Sequence, residues 1–256
     1  MTASPTDGNG RRSRLLTIGV PVLVVLGVLA AAVWYFFIRD DAPEAFTIED
    51  ATADDGDGSD EGAALAAEPL DSPDGTWVVA PDIGPGGASS EAGYRVNEVL
   101  ADVGDKTVVG RTDGVDGTVT IDGTSVTEVS VTVDMASVQT DSNSRDGQFR
   151  RALDVDTFPT ATFTLTEHID LGTVPAAGES ISVTAVGDLT IHGVSRSVEV
   201  TLDAQLDGSR LTVVGQAPVV FSDFDVDKPQ AQIVLSLDDD GLIEFQLYLR
   251  QDAGSE

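Results

Sequence analysis

The chain has 256 residues, with 44 Asp and Glu against 14 Lys and Arg for a formal net charge of −30, and it has no cysteine. The acidic excess excludes nucleic acid as a partner, because phosphate contacts need clustered basic side chains. It also disfavours docking of a soluble domain on anionic lipid headgroups. Without cysteine there are no disulfides, thiolate nucleophiles or zinc-thiolate sites, and no lipid-modified N-terminal cysteine.

Residues 1–14 form a short tail carrying Arg11, Arg12 and Arg14, expected on the cytoplasmic side. Leu15–Ile38 is a run of 24 residues without a charge. As a helix it would be about 36 Å long, enough to cross a hydrocarbon core of about 30 Å. The basic residues precede it and Asp40 and Asp41 follow, so the expectation is a single-pass signal anchor in the cell membrane. Its N-terminus would be cytoplasmic and everything after Ile38 extracytoplasmic. Trp34, Tyr35, Phe36 and Phe37 mark the outer interface. The competing reading is a cleaved signal peptide with Ala30-Ala31-Ala32 as its site, but the apolar run exceeds the usual core of about 7–15 residues.

Residues 39–75 hold 13 acidic side chains and one basic one, and are expected to form an acidic linker without fixed structure. A calcium loop counted from Asp57 would use Ser59, Glu61, Gly62 and Glu68, but Ala64 and Pro69 fit that motif poorly.

From Thr76 onward the dominant period is two. Val129, Val131 and Val133 alternate with Ser130, Thr132 and Asp134, and Val198, Val200, Leu202, Ala204 and Leu206 share one face. This pattern marks antiparallel strands with one apolar and one wet side. Strands are expected near 76–80, 93–100, 107–112, 115–122, 126–135, 160–168, 180–191, 196–206, 210–221, 231–237 and 242–250. Asp122-Gly123, Asp207-Gly208 and Asp240-Gly241 supply hairpin turns. Only 145–153 reads as a helix, with Phe149, Ala152 and Leu153 on one stripe. So many strands with so little helix imply an all-β sandwich or barrel, and periodicity alone does not separate a hollow barrel from a filled one.

Three segments within this domain carry a resemblance. They are Arg145-Asp146 followed by Phe158-Pro159-Thr160-Ala161-Thr162-Phe163, then Gly187-Asp188-Leu189-Thr190-Ile191-His192-Gly193-Val194, and more weakly Phe221-Ser222-Asp223-Phe224. Together they resemble the YceI-like family, and its membrane-anchored actinobacterial branch in particular. The resemblance covers about Thr76 to Arg250. It implies a lipocalin-like antiparallel β-barrel, residues 76–251, whose tunnel holds a polyisoprenoid or similar lipid. Many members open with a histidine-bearing strand, whereas Gly93-Tyr94-Arg95-Val96-Asn97-Glu98 has none. Headgroup contacts that rely on those histidines do not carry over.

On this reading the inward positions are Val131, Val133, Phe163, Leu165, Val183, Leu189, Val200, Leu202, Phe245 and Leu247. Arg150 and Arg151 are the candidates for meeting a phosphate headgroup. The same apolar residues would serve as an ordinary core in a solid structural or adhesive envelope domain. No catalytic residue, cofactor or metal is expected: the sequence lacks G-x-S-x-G, H-E-x-x-H, phosphate-loop and dinucleotide motifs, and its two histidines are too few for most histidine metal sites. His192-Gly193 reads as a turn, and Arg145-Asp146 as a local ion pair at a helix start.

Overall fold

The computed structural model describes residues 42–53, 70, 72–101, 104–228 and 234–252. The tail 1–14, the apolar run 15–38 and the calcium-loop candidate 57–68 lie outside the described residues. Among the described residues no helix is long and apolar enough to cross a membrane.

Among the described residues, twelve strands form one antiparallel sheet that closes on itself. In chain order they are β1 (Gly75–Val79), β2 (Glu91–Leu100), β3 (Gly104–Thr112), β4 (Val115–Asp122), β5 (Ser125–Asp134), β6 (Thr160–Leu165), β7 (Ile169–Asp170), β8 (Ser180–Ile191), β9 (Val194–Asp207), β10 (Arg210–Val220), β11 (Val234–Leu237) and β12 (Asp240–Gln251). Each strand expected from the alternation has a counterpart among the described residues, although 231–233 of the one expected at 231–237 lie outside them; the strand expected at 160–168 ends at Leu165, and the short β7 that follows it was not expected.

Several strands are halves of a broken stave. β1 and β2 both run along β12, with Trp77 opposite Gln251 and Arg95 opposite Leu242. β3 and β4 continue one another beside them. β6 and β7 share β5 as neighbour, and β11 extends the line of β12 along β2. The result is an eight-staved, up-and-down barrel closed by β12 against β1 and β2. Closure removes the unpaired edges that an open sheet would present.

A helix, α2 (Asn143–Ala152), interrupts the run from β5 to β6. It sits at the end of the barrel where β2 ends and β3 begins, which also carries the β8–β9 turn, the end of β10 with residues 221–228, and the start of β12, hereafter the α2 end. The opposite end carries the β4–β5 and β9–β10 hairpins. At the β8–β9 turn His192 (φ 52°) and Gly193 (φ 74°) both adopt left-handed backbone, as a two-residue hairpin of the inverse type requires.

The first described element is not in the barrel. Residues 42–53, expected as part of the linker 39–75, pack on its outer wall as an extended stretch followed by a short helix, α1 (Ile48–Thr52). Ile48 and Ala51 are buried against Val214 of β10. Thr47 caps α1 by accepting the Asp50 amide proton on its hydroxyl oxygen at 3.2 Å.

The strap is held further along by a charge cluster. Glu244 of β12 is 3% exposed and receives hydrogen bonds from Arg95 and Arg111. Each guanidinium then donates onward, Arg95 to the Pro43 carbonyl at 2.7 Å and Arg111 to the Glu44 carbonyl at 2.6 Å. The Phe46 ring lies over Arg111, 3.7 Å from its carbon centre to the ring centroid. Mean acidity therefore misjudged these residues. Phe46 and Ile48 supply apolar surface, and the wall supplies two cations that only the folded barrel brings together.

Candidate ligand cavity

The apolar faces of the staves do not meet in a filled core. They enclose a cavity of ≈ 640 Å³, within the range of about 300–1,000 Å³ typical of ligand pockets. Trp77, Ala185, Val200, Leu247 and Leu249, all buried, form the tight part of its wall. Val131, Val133, Phe163, Val183, Leu202 and Phe245 also face inward but are only half-buried, because they border the lumen instead of packing against a facing stave.

Two glycines shape this wall. A Cβ at Gly187 would lie 2.4 Å from the Phe163 ring, and one at Gly215 would lie 2.3 Å from the Phe245 ring. Each glycine lets an aromatic ring lie flat on the neighbouring stave, which keeps the ring against the wall and out of the lumen.

At the α2 end the lumen meets polar groups. Phe149, Ala152 and Leu153 of α2 turn their apolar stripe to the cavity, as the sequence pattern anticipates. Tyr94 stacks on Phe149 with ring centroids 5.1 Å apart and planes 3° apart. Glu98, 6% exposed, accepts from Arg145 at 2.8 Å, and Arg145 also pairs with Asp141. Asp146 is the buried member of the motif. Its carboxylate accepts from the Thr140 amide at 2.9 Å and the Thr140 hydroxyl at 2.7 Å, fixing the turn into α2. Arg145 and Asp146 thus serve different partners and do not form the local pair expected of them. The imidazole Nδ1 of His192 lies 3.2 Å from the Phe224 carbonyl and its ring meets Phe158 edge-on, a structural role at the turn.

Of the ten inward positions expected from sequence, Val131, Val133, Phe163, Val183, Leu189, Val200, Leu202, Phe245 and Leu247 lie on the cavity wall. Leu165 packs against the same apolar cluster without reaching the lumen. Arg150 and Arg151, the candidates for meeting a phosphate headgroup, are exposed on α2 and do not line the cavity. Helix geometry explains the difference, since Phe149 and Ala152 take the inward stripe and the arginines between them turn outward. The charged residues that do border the lumen include Glu98 and Arg145. Glu98 was legible in principle: it continues the inward series Ala92, Tyr94, Val96, where a carboxylate breaks the apolar pattern.

Burial pushes the Tyr94 phenol well above its ordinary value of 10.0, opposed by Arg145. It raises that of Tyr248, whose hydroxyl donates to the Ala51 carbonyl, to about 12. A raised folded-state value gives stability that is complete below pH 10 and is lost as pH rises toward the folded value. Alkaline denaturation should therefore steepen above pH 10, by up to about 1.4 kcal/mol per pH unit for each tyrosine. Tyr94→Phe keeps the stack on Phe149 and should remove its share. Chemical denaturation at stepped pH checks this, and an unchanged alkaline slope would show the phenol to be hydrated.

Residues 86–249 match the family model described as the YceI-like domain. A solved polyisoprenoid binding domain from Saccharophagus degradans, implicated in plant cell wall breakdown, is similar at 20% identity, with 69% of this chain and 98% of that one covered and a TM-score of 0.53. Burkholderia cenocepacia BcnA is similar at 22% identity over 61% of this chain and 95% of that one, with a TM-score of 0.47. The Campylobacter jejuni YCEI protein is similar at 21% over 56% and 84%, with a TM-score of 0.45. None of the curated proteins compared matches the chain. The family model spans most of the closed barrel and its cavity wall, and on that match the chain belongs to the YceI-like family.

Proposed function

We propose that this protein is a membrane-tethered, extracytoplasmic lipid carrier that holds a polyisoprenoid or similar apolar chain in its barrel. The observation that carries the proposal is the ≈ 640 Å³ lumen walled almost wholly by aliphatic and aromatic side chains. A lumen of this kind favours a long apolar guest by about 0.8 kcal/mol for each methylene withdrawn from water, with no catalytic group required. Membership of the YceI-like family and the polyisoprenoid binding named for the Saccharophagus degradans domain support the same class of ligand. The tether rests on the uncharged run Leu15–Ile38 with its basic residues on the N-terminal side.

The test uses the full chain extracted in mild detergent. Native mass spectrometry should find a co-purifying lipid mass. Leu202→Trp, at a half-buried position that borders the lumen, should sharply reduce that lipid while leaving the melting temperature close to the parent's. A filled interior would respond oppositely, with strain of about 1–3 kcal/mol or more from the inserted ring. A lipid-free parent together with a large fall in melting temperature for Leu202→Trp would overturn the carrier reading in favour of a solid structural or adhesive domain.

A further inference from the structure

The strap gives the barrel a direction relative to the chain's N-terminal part. Pro43 lies against Arg95, which stands opposite Leu242 near the start of β12 and so toward the α2 end. Ala51 lies against Tyr248, near the other end of β12. Residues 42–53 therefore run along the outer wall away from the α2 end, and the chain preceding Ala42 joins the strap on the α2 side. In sequence, Arg39, Asp40 and Asp41 alone separate the apolar run ending at Ile38 from Ala42. Even fully extended, that interval spans no more than about 14 Å.

We infer that the strap fixes the barrel with its α2 end facing the bilayer, so that the polar rim around Glu98 and Arg145 is the part of the lumen nearest the membrane. The partner is the lipid surface in which the chain itself is anchored. Charge attraction does not produce this orientation. The α2 end exposes Asp141, Asp154, Asp156, Asp223 and Asp225, and such a surface would stand away from anionic headgroups if it were free to turn. What holds it is the set of strap contacts: Arg95 and Arg111 on the Pro43 and Glu44 carbonyls, Phe46 on Arg111, and Ile48 and Ala51 on Val214. The inference rests on Leu15–Ile38 acting as an uncleaved anchor, and is independent of what the lumen carries.

The chain has no cysteine, so single fluorophores can be placed without background. The full chain is reconstituted into phosphatidylcholine vesicles bearing a headgroup quencher, with a label at Asp156→Cys on the α2 end or at Asp122→Cys on the opposite end. The Asp156 label should be quenched severalfold more than the Asp122 label. Inserting 20 Gly/Ser residues between Asp41 and Ala42 leaves the strap intact, but adds a coil of about 25 Å root-mean-square length, and should bring the two labels close to equality. Phe46→Ala combined with Ile48→Asp should do the same by releasing the strap, with circular dichroism confirming that the barrel remains. Equal quenching in the parent, or stronger quenching at Asp122, overturns the orientation. So does a difference that survives the insertion. Vesicle flotation separates the two failures: a chain that does not float overturns the anchor and the orientation with it, whereas one that floats with the wrong quenching pattern overturns the orientation alone.

Discussion

Glu244→Ala is expected to cost about 3–5 kcal/mol of folding stability, because it leaves two guanidinium groups unpaired on a covered part of the wall. Among the described residues, Glu244 is the only acidic side chain joined to both Arg95 and Arg111, and at 3% exposure little water can take its place. Replacing the cluster together, with Arg95→Met, Arg111→Met and Glu244→Leu, should be much milder, since no buried charge remains. The triple variant should nevertheless free the strap, because the Pro43 and Glu44 carbonyls lose their donors. Thermal melting and limited proteolysis between residues 42 and 53 check both outcomes. A loss under 1 kcal/mol in the single variant would show that the cluster is solvated and that the strap does not close over it.

Trp77→Ala is expected to cost a similar amount, about 3–5 kcal/mol, by removing the largest fully buried side chain in the barrel wall. Trp77 stands between Val119 and Gln251, so it belongs to the closing seam, and its indole N–H donates to the Pro73 carbonyl at 2.9 Å. In a domain of this size each kcal/mol shifts the melting temperature by about 2–4 °C, so a fall on the order of 10 °C should be seen by circular dichroism. Trp77→Phe should recover much of that loss, since it restores most of the apolar contact and gives up one hydrogen bond. A full-sized loss in the phenylalanine variant would assign the effect to the Pro73 bond instead of to packing.

The alternation in the sequence made the staves legible because each has one dry and one wet face, so nearly every inward position could be read by counting in twos. Its limits are also physical. Period two reports which way a side chain points and carries no information on the distance to the side chain opposite, so it could not show that Val131, Val183 and Leu202 border empty space. Nor could it show why Gly187 and Gly215 interrupt the pattern, since their reason is a ring on the adjacent stave. The strap failed to register for a different cause: its binding site is assembled from the neighbouring strands β2 and β3 together with β10 and β12, which lie far along the chain from them. Arg145-Asp146 was visible as a motif, but its partners Glu98 and Thr140 became apparent only when α2 was seen folded over the lumen.

The pairing of staves also sets an order of assembly. Every ladder in the barrel joins staves that follow one another in the chain, except those made by β11 and β12 with β1 and β2. Those contacts reach across most of the domain, so they bear the largest loop-closure cost and form late. Glu244 and Tyr248, which receive the strap, both lie on β12. The strap therefore has nowhere complete to dock until the last stave has been made and sealed, and its docking marks a finished barrel.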